Sequence, residues 1–384
     1  MNVRVFKSLD DVPEDYGNSF GSQLHDNLYL KRHWYKNFVD NGLEQDAELW
    51  ILALEEKMTG RPLAIMMARS PAGQNGSKFA SWKPNSRTLA SLTNFQSSYY
   101  GLILGQNESP EKELGALISG VIENVGQWHM VDLNLMDPSE PNFNLIKEIF
   151  ERNGFRSASY FYKGNWYENF EFDSFDGYLS SRSKAAKKSM KNYIRKYNNL
   201  EKEGRIKIDI YTEFADLELV LDRYNIIYSK SWKDEDFFPE FTRGLIKQVA
   251  TEGGLRMLIV SVDGMPAAFE FAIVTGTQCI MTRTAYDPEF QRDSVGSIAI
   301  LKMIEYVINV DRVKQIDFGT DDDPYKATWV SNRRERYGLV FFNKRTFIGQ
   351  CYWIRFVMGN CVESIKQKLK KVFLSFKSSQ IKKV

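Results

Sequence analysis

Residues 285–307 read AYDPEFQRDSVGSIAILKMIEYV, and this stretch does most to decide the fold. Its beginning alternates like a β-strand, its middle is a polar turn with one glycine, and its end has the spacing of an amphipathic helix. A turn that leads into a helix presents unpaired backbone N–H groups at the positive end of the helix dipole. This arrangement suits a phosphate group, although a turn of the same shape also serves as a plain connection.

The segments before this stretch predict a mixed succession of strands and helices. The first half predicts a strand at VRVF, a helix over 24–42, and a hairpin of ELWILALEE and PLAIMMARS. A strand near 88–95, the helix PEKELGALISGVIENVGQW, the strand VDLNLM and the helix NFNLIKEIFERNG complete it. Proline in the first turn of one helix and Gly154 at the end of the other support these boundaries.

The second half repeats this order. It predicts a strand at RIKIDIY, helices near 215–231 and 239–251, and the strands LRMLIVSVD, PAAFEFAIVTG and TQCIMTRTAYD. The helix from 296 and the strand KQIDFG follow. The repeated order predicts duplication of an α/β (α+β) unit whose mixed, partly antiparallel sheet is flanked by helices, although no residue-level repeat accompanies it.

Composition limits the classes of protein that remain. A length of 384 residues fits two domains, and a net charge of +2 neither requires nor excludes nucleic acid. Three cysteines and three histidines argue against a disulfide framework and a zinc site, so we expect no metal. The N-terminus lacks the apolar core of a signal peptide, and no apolar run reaches the roughly 20 residues of a membrane span, so we expect a soluble cytoplasmic protein.

A basic helix separates the two halves. Between residues 182 and 196 it carries seven cations, Arg182, Lys184, Lys187, Lys188, Lys191, Arg195 and Lys196. Such a charge run is usually a solvated face, but it also suits a phosphate-bearing substrate, transfer RNA or an anionic membrane. We therefore expect domains at 1–169 and 170–347, the second including this helix, followed by a basic amphipathic helix at 348–384.

A family resemblance emerges from the order of these segments. The run from the basic helix through YSKSW, residues 262–307 and IDFGTDDDPYKATWV resembles the GNAT acyltransferases, specifically the CelD-like group near the FemAB aminoacyltransferases. It extends over about residues 170–347. The resemblance implies tandem GNAT-like domains, of which the first is degenerate, and acetyl-CoA or another acyl-CoA as donor substrate. The usual glycine pattern is reduced here to Gly296, because Val295 and Ser297 occupy positions where small residues are common.

The glycine turn is the candidate site for coenzyme A. Backbone N–H groups of residues 295–298 would hold its pyrophosphate, Gly296 would allow a close approach, and the Arg292 side chain or the hydroxyls would add contacts. Asp293 would repel phosphate if it pointed inward, or would cap the helix. The candidate set is Arg292, Ser294, Val295, Gly296, Ser297 and Ile298.

Polar residues that interrupt apolar strands are the candidate catalytic groups. Glu270 is a candidate base for the acceptor amine, and Tyr286 a candidate acid for the leaving thiolate. Asp317, at a strand end in a family-like Asp-x-Gly piece, is the preferred base. Arg283, Trp232, Tyr325 and Lys326 are candidate substrate contacts. The alternatives are a solvated strand face, core packing and a surface turn.

The C-terminal stretch combines apolar residues with many lysines. Its apolar members include Trp353, Phe356, Val357, Leu369, Phe373 and Leu374, and its lysines include Lys366, Lys368, Lys370 and Lys371. A helix with this pattern either docks its apolar stripe on the protein or lies on an anionic membrane as a peripheral contact.

Together the patterns and the resemblance predict an enzyme that transfers an acyl group, acetyl by preference, from coenzyme A to an amine. The resemblance implies a small-molecule or glycan-precursor acceptor in polysaccharide or amino-sugar metabolism. A FemAB-type enzyme that uses aminoacyl-transfer RNA is one alternative. A non-catalytic GNAT-like scaffold that binds a partner is the other.

Overall fold

The computed structural model describes residues 1–13, 16, 27–70, 79, 82, 87–105, 109–124, 128–233 and 238–361. The first half contributes six of the described strands and three helices. They are β1 (Asn2–Phe6), α1 (Arg32–Asn41), β2 (Glu48–Glu55), β3 (Pro62–Ser70), β4 (Thr88–Ser91), β5 (Ile103–Leu104), α2 (Pro110–Asn124), β6 (Met130–Met136) and α3 (Pro141–Arg152).

The remaining elements begin with a long strand and end with a helix. They are β7 (Phe155–Asn169), α4 (Phe175–Ser181), α5 (Lys184–Lys202), β8 (Ile206–Tyr211), α6 (Leu217–Lys230), α7 (Pro239–Thr251), β9 (Leu255–Val262), β10 (Met265–Thr275), β11 (Gln278–Tyr286), α8 (Val295–Asn309), β12 (Gln315–Thr320), α9 (Lys326–Trp329), β13 (Asn332–Asn343) and α10 (347–361).

The described strands form one continuous sheet, and each half arranges its strands in a similar pattern from its own edge to the centre. The order is β1-β2-β3-β4-β6-β13-β7-β12-β11-β10-β9-β8, with β5 paired to β3. Each half contains an antiparallel hairpin system followed by one parallel pair, β4 with β6 and β11 with β12. The tandem mixed α/β fold predicted from the element order is therefore confirmed.

The two halves exchange strands at the centre of the sheet. The strand β7 follows the first half in sequence but pairs with β12, whereas β13 follows the second half and pairs with β6. The two strands also pair with each other along residues 155–167 and 332–343. Because each half completes its sheet with a strand from the other, the halves are joined by backbone hydrogen bonds as well as by packing.

Separate apolar clusters cover the two faces of the sheet. One cluster lies between α1 of the first half and α6 and α7 of the second, where Trp34 contacts Phe241 edge to face at 5.4 Å. A second packs α4, α5 and α8 on the other face of the second half, and a third packs α2 and α3 on the first half. The shared cluster fixes the first half against the region that holds the candidate site.

The predicted hairpin and most other predicted elements are found, within a few residues, in the described part of the chain. The helix predicted over 24–42 is instead a short 3₁₀ turn at Leu28–Leu30 followed by α1, because the extended backbone of Lys31 separates the two. The two exchanged strands β7 and β13 are the main elements that sequence reasoning did not predict. Helix α10 docks Phe356 against Phe342 and Phe79, as the docking interpretation requires. The predicted helix from 362 to 384 lies outside the described residues. Among the described helices, none is both long enough and apolar enough to span a bilayer.

Candidate functional site

The candidate site lies where the parallel pair β11 and β12 separates. These strands pair only over Gln278–Ile280 and Gln315–Asp317. Beyond Ile280 and Asp317 the two strands no longer pair, and two cavities lie beside this opening. We call them the α8 cavity and the interhalf cavity.

The α8 cavity has a volume of about 260 Å³. Its lining combines aromatic rings with the first turn of α8, namely Tyr193, Trp232, Thr284, Tyr286, Gly296, Ser297, Ile300, Tyr325, Thr328 and Trp329. The cavity is therefore apolar along its walls and has a helix N-terminus at one end, where N–H groups without intrahelical acceptors are exposed.

The turn before α8 is held in a left-handed conformation by a lysine from the basic helix. Ser294, the residue before α8, has φ of 61°. Lys196 of α5 donates from Nζ to the Ser294 hydroxyl at 2.8 Å and to the carbonyl of Arg292 at 2.5 Å. Lys196 thus fixes the direction of the first N–H groups of α8 rather than standing free in solvent.

Gly296 is in the first turn of α8, next to the ring of Tyr286. A Cβ at this position would lie 2.8 Å from Cδ1 of Tyr286. Tyr286 in turn packs on Trp232, with ring centroids 4.3 Å apart, and Trp232 remains 55% exposed. The glycine therefore lets the tyrosine ring approach the helix, and the two aromatic residues form one wall of the α8 cavity.

The interhalf cavity has a volume of about 250 Å³ and takes its walls from both halves. Tyr29, Phe95, Gln96 and Ser98 come from the first half. The second half contributes Tyr228, Lys233, Glu270, the β11 segment 280–284 and residues of the turn after β12. Thr284 and Tyr325 line both cavities, so the two spaces meet at these residues.

Glu270 is the buried carboxyl group of the interhalf cavity. It lies in the middle of β10, directly opposite Thr284 of β11, and is only 2% exposed. Its Oε2 atom has no hydrogen-bond partner. Burial raises the pKa of the Glu270 carboxyl well above its ordinary value, and a hydrogen bond with Thr284 and the charge of Lys233 oppose this effect. A carboxyl group with a raised pKa suits proton transfer near neutral pH.

Two cations face the same cavity. Arg283 donates to the Tyr224 hydroxyl at 2.8 Å, and its guanidinium lies 5.5 Å from the ring centroid of Phe95. Lys233 is half-buried, and burial lowers the pKa of its ammonium group, an effect that the charge of Arg283 reinforces. The cavity therefore holds positive charge close to the buried Glu270.

Asp317 lines neither cavity. Its Oδ1 accepts hydrogen bonds from Asn165 Nδ2 and the backbone N–H of Gly319, both at 2.7 Å. Its Oδ2 accepts from Arg334 at 2.5 Å. Since Asn165 belongs to β7 and Arg334 to β13, Asp317 links both exchanged strands to β12. The structure brings Glu270, rather than Asp317, to the junction of the two cavities.

The other predicted site residues have mixed positions. Lys326 is buried, and its ammonium donates to the carbonyls of Thr320 and Asp321, so it holds the turn after β12. Val295 is buried in the apolar cluster that packs α8 and Ile298 is also fully buried, which leaves only their backbone for a ligand. Arg292 is exposed outside the lining of both cavities.

Sequence reasoning missed Lys233 and Thr284, as well as the residues that the first half supplies. Lys233 follows Trp232, which the sequence did single out, so its position beside a candidate residue was the available signal. Nothing local in the sequence connects Gln96 and Ser98 to the second half. Gln96 reaches it through a hydrogen bond to Thr242 at 2.8 Å, and the Ser98 carbonyl accepts from Arg336 at 3.1 Å.

The basic helix α5 borders the α8 cavity through Tyr193. Its exposed cations are Lys184, Lys188, Lys191, Arg195 and Lys202, whereas Lys187 is half-buried. Arg182, just before the helix, is buried and pairs with Glu168 at 2.5 Å. The helix is therefore mostly solvated, as expected, but Arg182 and Lys196 are structural.

Comparisons with known proteins agree with this geometry. A family model described as an acetyltransferase (GNAT) domain matches residues 187–327. The crystal structure of FemX aligns with 88% of this chain and 97% of its own, at 8% identity and a TM-score of 0.56. A conserved protein of unknown function from Bacteroides thetaiotaomicron aligns with 88% of this chain and 99% of its own, at 12% identity and a TM-score of 0.52. The sequence matches no curated protein.

The structural similarities, at these low identities, establish the fold alone. The family model matches most of the region from α5 to α9. This region contains the separating strands β11 and β12, the glycine turn and Glu270. The chain accordingly has a tandem GNAT-like fold, and residues 187–327 of its second half match the family model of a GNAT acetyltransferase domain.

Proposed function

We propose that the second half transfers an acyl group, acetyl by preference, from an acyl-CoA in the α8 cavity to an amine in the interhalf cavity. The observation that carries this proposal is the junction of the two cavities at Thr284 and Tyr325, with Glu270 beside it. A donor on one side and an acceptor on the other would bring the thioester and the amine together there.

The α8 cavity suits the donor for two reasons. The first-turn N–H groups of α8 and the Ser297 hydroxyl would bind pyrophosphate oxygens, and Lys196 holds the preceding turn in position. The aromatic and aliphatic walls suit the less polar arm that carries the thioester. The single glycine is sufficient in this arrangement, since Val295 turns its side chain into the core.

The chemical step requires the amine to lose a proton and the thiolate to gain one. We assign proton removal to the Glu270 carboxylate, directly or through one water, in preference to Asp317, whose oxygens are occupied by Arg334, Asn165 and Gly319. The amine nitrogen then attacks the thioester carbon, the C–S bond breaks, and Tyr286 returns a proton to sulfur. Trp232 packs on Tyr286 and restricts the position of that ring.

An aminoacyl-transfer RNA donor is the second candidate. It is favoured by the exposed cations of α5, which stand beside the α8 cavity where the acceptor end of such an RNA would have to enter. The resemblance to the CelD-like group supports the first candidate, together with an acceptor from polysaccharide or amino-sugar metabolism. A scaffold without catalysis would bind neither donor.

Peripheral membrane contact is a further part of the proposal. Helix α10 docks Phe356 but leaves Phe347, Ile354 and Met358 exposed on another side, at 82%, 55% and 62%. The sequence that follows, residues 362–384, contains seven lysines and one glutamate. An apolar stripe followed by concentrated positive charge fits an anionic lipid surface.

One titration separates these candidates. We expect acetyl-CoA to raise the melting temperature of the whole chain, because a ligand at about 100 times its Kd stabilises the folded state by roughly 2.7 kcal/mol. Coenzyme A and bulk transfer RNA are measured in parallel. Stabilisation by transfer RNA but not by acetyl-CoA would favour the aminoacyl donor, and no shift with either would favour the scaffold.

A further inference from the structure

We propose that Lys233 forms an anion subsite in the interhalf cavity, so that the acceptor is an amine that also carries a carboxylate or phosphate group. The cavity places Lys233 and the buried Glu270 along the same space. The subsite deepens the proposed function, because the amine would lie toward Glu270 while the negative group meets Lys233.

The charges on the turn after β12 are already paired. Asp321 pairs with Lys163 at 3.0 Å, and Asp323 pairs with Lys326 at 3.3 Å. Lys326 is further occupied by backbone carbonyls of its own turn. These groups therefore balance one another and hold the rim of the cavity.

Lys233 differs from them. Among the described residues, no carboxylate lies within ion-pair distance of its ammonium group, and no hydrogen bond from Nζ is formed. It is nevertheless partly removed from water, at a cost that a bound anion would offset. A half-buried cation that lines a cavity and has no partner among the residues described by the structure fits a ligand oxygen.

Neighbouring groups make the electrostatic requirement stronger. Arg283 is held in place by the Tyr224 hydroxyl and by the rings of Phe95 and Tyr228, and its charge repels that of Lys233. The charges of Glu270 and Asp323 act on Lys233 in the opposite direction and offset part of this repulsion. A ligand anion beside Lys233 would add to this compensation.

The size and the lining define the acceptor further. A cavity of about 250 Å³ suits one small group rather than a polymer segment. The rings of Tyr29, Phe95 and Tyr228 offer apolar faces between the polar ends. A compact molecule with an amine at one end and an acidic group at the other, such as an amino acid or an amino-sugar phosphate, meets these conditions.

The test compares matched acceptors. With saturating acetyl-CoA, kcat/KM is measured for glucosamine 6-phosphate against glucosamine, and for a set of amino acids against their amides. We expect the anionic member of at least one pair to be preferred by about ten- to hundredfold, the range of one charge-assisted hydrogen bond. The pair that shows the preference identifies phosphate or carboxylate as the group bound. Equal kcat/KM within every pair would overturn the proposal.

Variants assign the preference to Lys233. Lys233→Met should remove the preference, because it should raise KM for the anionic member far more than it changes kcat/KM for the neutral member, and Lys233→Arg should restore part of the preference. Lys247→Met, which changes an exposed lysine on α7, is the matched control. An equal loss for both members in Lys233→Met would make this lysine structural and would contradict the subsite.

A binding measurement keeps the subsite and the acyl transfer distinguishable. Calorimetry measures the binding of glucosamine 6-phosphate and of the amino acids to the whole chain in the absence of donor. Binding that depends on Lys233, in a protein that turns over none of the amines, would support the subsite and contradict the transferase activity. Turnover of amines together with binding of the anionic ligands that is unchanged in Lys233→Met would support the transferase activity and contradict the subsite.

Discussion

The Tyr286 ring occupies the space that a Cβ on Gly296 would need, at 2.8 Å from that atom to Cδ1. A sequence pattern that requires glycine at this turn is usually explained by the approach of a phosphate. Here the glycine first admits a protein side chain, one that lines the α8 cavity and packs on Trp232. The shape of the proposed donor site therefore requires a glycine at position 296.

Gly296→Ala should consequently disturb the donor site more than the fold. The added methyl must displace Tyr286, and overpacking of this kind costs about 1–3 kcal/mol. We expect the Kd for acetyl-CoA to rise by about tenfold, measured by calorimetry. Ala299→Gly, a small-residue change one turn further along α8, is the control for helix stability. A Kd unchanged in Gly296→Ala would contradict the placement of the donor.

Glu270→Gln and Asp317→Asn distinguish the two candidate bases. Glu270→Gln keeps the size but removes the basic oxygen, so turnover should fall by about two to four powers of ten with little change in donor affinity. Asp317→Asn weakens the partner of Arg334 and should cost about 1–3 kcal/mol of unfolding free energy while turnover survives. Steady-state kinetics and urea unfolding measure both. Near-normal turnover in Glu270→Gln with a large loss in Asp317→Asn would restore Asp317 as the base.

The pH dependence of the rate provides an independent check on Glu270. Because burial raises its pKa, the carboxylate required for proton removal is lost at a higher pH than for an exposed glutamate. The kcat of the wild type should rise as pH increases through this raised pKa and then level off. Glu270→Gln should lack that rise, whereas a profile identical in shape would remove Glu270 from the step.

Stability should respond to pH in the opposite direction. A carboxyl group whose folded pKa exceeds its unfolded value, about 4.3, holds its proton more tightly when folded. Its contribution to the unfolding free energy is complete below the unfolded pKa and is lost as pH rises through the folded pKa. Urea unfolding at a series of pH values should show this decline in the wild type and a smaller one in Glu270→Gln.

Local patterns predicted the outer strands and most helices because their signals lie within each segment. The exchanged strands β7 and β13 were not predicted because their pairing partners are distant in sequence. The first half of β13, NRRERY, resembles a solvated segment, yet Arg334 pairs with Asp317 and Arg336 pairs with Asp137 at 2.6 Å. Only the tertiary arrangement reveals that these charges are used inside the sheet.

The candidate site likewise contains residues that local patterns indicate and residues whose position only the tertiary structure reveals. The glycine turn, Glu270, Tyr286 and Trp232 were singled out because each breaks a local pattern. Gly296, Tyr286 and Trp232 line the α8 cavity, and Glu270 lines the adjoining interhalf cavity. The preference for Asp317 followed from its place at a strand end, where functional groups often stand. Whether such a group faces a cavity depends on what packs beside it, and here β7 and β13 supply Asn165 and Arg334.

The α5 face tests the aminoacyl donor. If the cations of this face bind RNA, changing the half-buried Lys187 and the exposed Lys188 and Lys191 to glutamate should weaken the association and lower the slope of log K against log salt by about 0.7–0.9 for each phosphate that is no longer neutralised. Filter binding of transfer RNA measures this effect. The matched control reverses Lys57, Lys112 and Lys344, which are exposed elsewhere. Acetyl transfer from acetyl-CoA to a small amine should be unchanged in both, and equal RNA binding by both variants would leave α5 as a solvated face.

The exposed side of α10 tests the membrane proposal. Phe347, Ile354 and Met358 lie outside the contact that Phe356 makes, so replacing all three by serine removes apolar area without opening the docked side. Sedimentation with vesicles of phosphatidylcholine and phosphatidylserine should show binding by the wild type and a loss of tenfold or more in the variant, since burial of even part of three such side chains exceeds about 1.4 kcal/mol. Vesicles of phosphatidylcholine alone should bind weakly, because they lack the charge that attracts the lysines after Cys361.

The control for this last measurement is a second set of exposed apolar residues. Leu219, Ile226 and Val310 have comparable exposure away from α10, so their replacement by serine should leave vesicle binding intact. Equal binding by both triple variants would show that α10 does not contact lipid. Loss of self-association by the α10 variant in analytical ultracentrifugation, with no vesicle binding by the wild type, would instead assign the stripe to a second copy of the chain. The concentration of seven lysines against one glutamate after α10 opposes that outcome, because two copies would bring like charges together.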